Sequence, residues 1–196
     1  PQNYRDSEVV LLGNLHPEVQ SSVLDQMNAP KLVILDTMNF WMEHTWDALV
    51  EVMKRVDVIS INDEEARQLT GEYSLVRAAH KIQEMGPKYV IIKKGEHGAL
   101  LFHKDEVFFA PALPLEEVFD PTGAGDTFAG GFAGFLAQTQ DYSFDNMKKA
   151  IVHGSALASF CVEKFGTERL QNLTREELYS RLQQFKQLTQ FDIELH

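Results

Sequence analysis

Cysteine occurs once in the 196 residues, at Cys161, so an internal disulfide is excluded and a reducing compartment is expected. Positive charge is scarce as well. The 18 Lys and Arg residues face 29 Asp and Glu, a formal net charge of −11. A surface of that sign disfavours broad binding to nucleic acid or to anionic lipid, while a local anion site remains compatible with it. No apolar run is long enough to span a bilayer, so no membrane partner is expected. No charged-then-apolar N-terminal stretch resembles a signal peptide, and the expected location is the cytoplasm. The first residue is Pro1 rather than Met, which points to a trimmed or processed N-terminus.

Clustered metal ligands are also missing. His16, His44, His80, His97, His103, His153 and His196 are scattered, without metal-ligand spacing on one helix face, and read as structural or surface residues. Cys161 lies on an apolar helix face and reads as a small core residue rather than a nucleophile. Two familiar phosphate motifs are absent: there is no Gly-x-x-x-x-Gly-Lys-Ser/Thr, and no Gly-x-Gly-x-x-Gly follows an early strand with an acid after it. What is present is a chain that is 44% hydrophobic and 24% charged, which suits a folded soluble domain and rules against disorder.

Short β-branched runs alternate with longer helical stretches, the pattern of an α/β protein with a largely parallel sheet. Strands are expected over 8–12, 31–36, 56–61 and 89–92. Helices are expected over 17–27, 45–55, 62–70 (closed by Gly71) and 74–85 (stopped at Gly86-Pro87). Each crossover is expected to be right-handed. Residues 99–102 and 107–110 then flank His103-Lys104-Asp105-Glu106 as an antiparallel hairpin, and 118–119 read as a short strand. The remainder reads as helical. The segment 126–136 carries Phe128, Phe132, Phe135 and Leu136 on one face, and 148–162 carries Ile151, Gly154, Leu157, Ala158 and Cys161. The segment 174–188 opens on a Thr174/Glu177 capping box. With no repeats and no linker, residues 1–196 read as one domain.

The most unusual stretch is Asp120-Pro121-Thr122-Gly123-Ala124-Gly125-Asp126-Thr127-Phe128, followed by Gly130 and Gly131. A glycine-rich turn here opens a helix, whose first N–H groups are unpaired and lie at the positive end of its dipole. Gly123 and Gly125 would let that backbone approach an anion closely. Asp126 beside such a nest reads either as a first-turn helix acid or as a general base for an attacking hydroxyl. Asn62 and Glu65 form an N-cap and its partner three residues on, a structural reading as good as a functional one. Lys93 and Lys94 follow a buried strand, where solvation explains them as well as a ligand does. Asp36-Thr37-Met38-Asn39 lies at the C-terminal end of a strand, where α/β proteins place ligands.

The run DPTGAGDTFAGG over 120–131 closely resembles the C-terminal signature of the ribokinase-like sugar and nucleoside kinases, the pfkB family. Asn62-Asp63-Glu64-Glu65 with Leu69-Thr70-Gly71 resembles the family's Asn-x-x-Glu segment. Ile91-Ile92-Lys93-Lys94-Gly95-Glu96-His97-Gly98-Ala99 resembles its nucleotide-side strand and turn. The resemblance implies a ribokinase-like three-layer α/β/α fold, truncated at the N-terminus, and ATP-dependent phosphoryl transfer to an alcohol of a sugar or nucleoside. It implies that Asp126 is the base and that the backbone of Gly123, Ala124 and Gly125 forms the anion hole. Asn62 and Glu65 would organise Mg2+ through its waters, while Lys93, Gly95 and Gly98 would line the nucleotide site. Asp120 and Thr122 match positions that hold a monovalent cation such as K+ in some members. Asp36 and Asn39 match the acceptor side, although the family's Asp-x-Asn-x-Arg form is absent. The Gly166-Thr167 turn would close over the adenine.

Members of that family also carry N-terminal strands, much of the acceptor pocket and a lid. Against them this chain begins at what reads as a middle strand, so a fragment, or a fold completed by a partner chain, is expected. A homodimer is one form in which an uncovered sheet edge could be protected. The rival functional readings are a non-catalytic nucleotide-binding relative and a half-domain that assembles with a partner. The identity of the acceptor stays open at this point.

Overall fold

Runs such as Leu32–Asp36 and Val58–Asn62 are apolar on both faces rather than alternating, which requires a sheet covered on both sides. The computed structural model, which describes residues 2–190 and 192, has that arrangement. Pro1 and His196, discussed above, lie outside the described residues. Strands β1 (Val9–Leu12), β2 (Leu32–Asp36), β3 (Val58–Asn62) and β4 (Tyr89–Lys93) are parallel neighbours. The hairpin β5 (Ala99–His103) and β6 (Glu106–Ala110) continues the sheet antiparallel, giving the order β1-β2-β3-β4-β5-β6.

Strand alternation sorts the core into two layers. Val33, Leu35, Ile59, Ile61, Val90 and Ile92 meet the helices α1 (Pro17–Asp25), α3 (Trp46–Met53), α4 (Asp63–Thr70) and α5 (Leu75–Glu84). Leu32, Ile34, Val58, Ile91 and Leu101 face the opposite way, onto α6 (Ala124–Thr139) and α7 (Phe144–Cys161). The result is the three-layer α/β/α architecture. Continuing the second parity to the strand ends puts Asp36, Ser60, Asn62 and Lys93 on the face that α6 covers. Polar residues are thus delivered to the start of that helix by sheet register alone.

Three readings of the sequence need correction. Residues 118–119 form no strand. Both side chains are exposed, and the backbone there is tied only to the end of α7, with the N–H of Phe119 donating to the Val162 carbonyl at 2.8 Å. An apolar pair with no strand beside it cannot build a ladder. A short helix α2 (Asn39–His44) follows β2 where no element was expected; its N-cap, Met38, makes no side-chain cap bond, so the sequence carries no start signal. Helix α7 also begins earlier than 148, because the Ser143 hydroxyl accepts the Asn146 N–H and starts the helix at Phe144.

Helices α6 and α7 approach closely through glycine. A Cβ on Gly154 would lie 2.7 Å from the Phe128 carbonyl oxygen, and one on Gly131 would lie 2.8 Å from Leu157 Cδ1. Beyond them, α8 (Glu168–Gln171) and α9 (Arg175–Thr189) are fastened by an ion network. Arg169 reaches Glu163 at 3.0 Å and Glu177 at 2.6 Å, and Arg181 reaches Glu163 at 2.6 Å. Hydrogen bonds from the Thr174 N–H first, then from Arg169, pull the Glu177 carboxyl from 4.5 down to about 2. A depressed acid contributes stability above its unfolded value and loses it as pH falls toward the folded one. Glu177→Gln is therefore expected to melt lower than the parent above about pH 5, and the gap should close between pH 4.5 and 2. Thermal unfolding across that range checks it. Among the described residues, no helix is long and apolar enough to cross a membrane.

Candidate active site

The chain enters α6 through a bend. Asp120 Oδ1 accepts the Thr122 N–H at 2.9 Å, which holds its carboxyl below the usual range. Gly123 follows with φ +80°, a left-handed conformation that a side chain disfavours, and it caps α6 without a side-chain bond. The consequences for the first-turn amides are specific. The Ala124 N–H turns back to the Pro121 carbonyl at 3.2 Å, and that of Thr127 donates to Gly123 at 2.9 Å. The N–H groups of Gly123, Gly125 and Asp126 meet no protein acceptor among the described residues. The expected trio changes accordingly: the amide of Ala124 is committed, and that of Asp126 takes its place. Three open donors at the positive end of a 16-residue helix form a cradle whose polarity suits an anion. Beneath it lies the buried Cys161 thiol, 3.8 Å from the Thr122 carbonyl and 4.0 Å from that of Gly166.

Opposite the cradle stand the strand ends. The Lys93 ammonium lies 3.4 Å from Asp36 Oδ1, and a Cβ on Gly125 would sit 3.5 Å from it. The ammonium therefore occupies the space between the end of β2 and the α6 turn. Asp126 is exposed and accepts no hydrogen bond from the described residues. Asp36 is nearly buried. Burial pushes its carboxyl above the ordinary range, Lys93 opposes this through charge and hydrogen bond, and the charge of Asp126 pushes it up again. Glu65 is likewise raised by burial, with the Asn62 N–H and Lys93 pulling down and Asp36 pushing up. These cross-influences place Asp36, Glu65, Lys93 and Asp126 in one electrostatic neighbourhood.

Other expected residues separate by role. Asn62 and Glu65 form a complete capping box: the Glu65 carboxylate accepts the Asn62 N–H at 2.8 Å, and the Asn62 side chain accepts the Glu65 N–H at 2.7 Å. Gly98 is structural first, because a Cβ there would run into the backbone at the end of β6, at Ala110, and just beyond it at Pro111. Gly95 opens the turn after β4 with free space beside it. Asn39 is exposed at the start of α2, and its Oδ1 is taken by the Phe40 N–H at 2.9 Å; no bond joins it to Asp36. Ser60 was not singled out and Thr37 was named only within its stretch, yet their buried hydroxyls lack partners among the described residues at this same end of the sheet. A hydroxyl inside the apolar run Val-Ile-Ser-Ile was the available signal. A partly open apolar groove of about 510 Å3 lies elsewhere, among Phe109, Phe135, His153 and Phe185.

Fold and site together define a three-layer α/β protein with a helix start of open amides at the carboxyl ends of its parallel strands. Residues 7–174 match the model of the pfkB family carbohydrate kinases, and the chain belongs to that family. It is 35% identical over 136 residues to a cytidine kinase of Thermococcus kodakarensis, covering 67% of this chain and 49% of that protein. Among solved structures it resembles a ribokinase of Thermotoga maritima, at 28% identity and a TM-score of 0.73, over 93% of this chain and 59% of that one. It also resembles an Arabidopsis thaliana ribokinase, complexed with ribose and ATP, at 26% identity and a TM-score of 0.72, over 89% of this chain and 55% of that one. The chain thus spans roughly half the length of these relatives.

Proposed function

We propose that the protein to which this chain belongs transfers the γ-phosphoryl group of ATP to a hydroxyl of a sugar or nucleoside. The observation that carries this reading is an exposed, unbonded Asp126 carboxylate set beside open amides of the same helix turn. An acid at an anion cradle opposes binding unless it has work there, and accepting a proton supplies it. In the proposed step, Asp126 takes the acceptor's hydroxyl proton as that oxygen bonds to phosphorus and ADP departs. The amides of Gly123, Gly125 and Asp126 donate to the equatorial oxygens, where charge accumulates; such transfer depends mainly on positioning and electrostatic stabilisation. Lys93 and the Gly95 turn flank the phosphates.

Mg2+ would balance charge on the phosphates, and the donor set fits only an indirect contact. The described residues hold no cluster of three metal-ligating side chains, and the capping box leaves Glu65 one free oxygen. Asn62 and Glu65 would therefore hold waters of the ion. Gln completes a capping box as well as Glu does, which separates the two roles. Glu65→Gln is expected to keep the parent's thermal stability while raising the Mg2+ needed for half-maximal turnover about 10-fold. Asp120, with one oxygen unbonded, and Thr122 would hold a monovalent cation. Replacing K+ with a bulky organic cation should then lower turnover.

The test of the function itself is ATP consumption by the full-length protein across a panel of sugars and nucleosides. Turnover with one acceptor class is expected; no turnover with any of them, together with no ATP binding, would overturn the reading.

A further inference from the structure

We propose that Asp36 is a positioning residue, which holds the Lys93 ammonium against the α6 turn so that Lys93 receives the terminal phosphate of ATP. This rests on the kinase reading above and moves Asp36 from the acceptor side to the phosphate side. The arrangement follows from register. Asp36 pairs with Ser60, and Asn62 pairs with Lys93, so Asp36 and Lys93 stand on β2 and β4 with β3 between them. Those outer strands lie about 9–10 Å apart, and the Lys93 stem must cross β3 to reach Asp36. Level with Asp36, β3 carries Ser60, a small side chain that is 1% exposed.

Burial decides what Asp36 can do. Its side chain is 11% exposed and that of Lys93 is 20% exposed, whereas Asp126 is open to solvent. A carboxylate so enclosed is poorly placed to meet an incoming hydroxyl and well placed to neutralise a lysine. The lysine is left with capacity to spare. An ammonium has three donors, and among the described residues Lys93 makes one bond, the long one of 3.4 Å to Asp36. The ammonium also lies against Gly125, whose own N–H is open. Free amide and ammonium donors thus converge on one spot, with Asp36 behind the lysine as its anchor. A phosphate arriving at the cradle finds a charged donor already in place, and the bond to Asp36 is loose enough to let Lys93 lean toward it.

The experiment uses the full-length protein and calorimetric binding of β,γ-methylene ATP and of ADP, with Mg2+. Lys93→Met is expected to weaken the triphosphate analogue about 10–100-fold, the worth of a charge-assisted hydrogen bond, and to change ADP affinity less than about 2-fold. Asp36→Asn should weaken the analogue by a smaller factor, and Asp36→Asn/Lys93→Met should match Lys93→Met alone, because one residue acts through the other. Lys93→Arg should retain most of the affinity. The double variant removes both buried charges together and keeps the comparison open if Asp36→Asn alone fails to fold. Equal losses for ADP and the analogue would overturn the proposal, as would additive losses in the double variant. An Asp36→Asn protein with unchanged nucleotide binding but a raised acceptor KM would return Asp36 to the acceptor side. A parent protein that binds neither nucleotide would remove the kinase reading itself and this inference with it.

Discussion

Asp126→Asn, in the full-length protein, is expected to lower kcat about 10²–10⁴-fold while ATP affinity stays near the parent value. The side chain keeps its size and exposure but loses its charge and its capacity to take a proton. The competing role, a first-turn acid stabilising its helix, makes a different forecast. Losing such a charge costs about 0.3–1 kcal/mol of stability and leaves chemistry alone. Steady-state kinetics with nucleotide-binding calorimetry distinguish the two outcomes. Unaltered turnover would remove Asp126 from the reaction.

Gly154→Val is expected to produce the largest structural effect. Its Cβ would fall 2.7 Å from the Phe128 carbonyl oxygen and 3.1 Å from the Phe128 ring. The ring can turn, but the carbonyl belongs to the α6 backbone two residues beyond Asp126, so relief requires α6 and α7 to separate. Overpacking of this kind destabilises by about 1–3 kcal/mol or more, read as a lower urea midpoint with little change in slope. Turnover should fall as well, because the displaced helix carries the cradle. Gly130 serves as the control. Nothing lies within 4 Å of a Cβ there, so Gly130→Ala should stabilise α6 by about 0.5–1 kcal/mol.

Much of this architecture was legible in the chain because its signals are local. The four parallel strands announce themselves as short β-branched runs, and the Asn62/Glu65 and Thr174/Glu177 boxes announce two helix starts by spacing alone. The stretch 120–131 marked the open turn at the start of α6 through its glycines. What escaped depends on distance in sequence or on the fate of single amides. Lys93 and Asp36 are 57 residues apart, and their meeting depends on the register of three strands. The family resemblance suggested Asp36 as an acceptor contact, and nothing local signalled its burial against Lys93. The exchange of Ala124 for Asp126 among the open amides follows from the Pro121 carbonyl, a backbone acceptor that no residue pattern encodes. Helix α2 was missed for want of a capping side chain, and 118–119 were misread because their composition suits a strand that has no neighbour to pair with.

The place where phosphoryl charge settles tests the proposed reaction most directly. A crystal structure of the full-length protein with ADP and aluminium fluoride, a planar mimic of the group in flight, would locate it. The fluorides should lie within hydrogen-bonding distance of the Gly125 and Asp126 amides, with the Asp126 carboxylate facing the apex opposite ADP. A mimic bound away from the α6 turn, or an Asp126 side chain directed away from that apex, would contradict it.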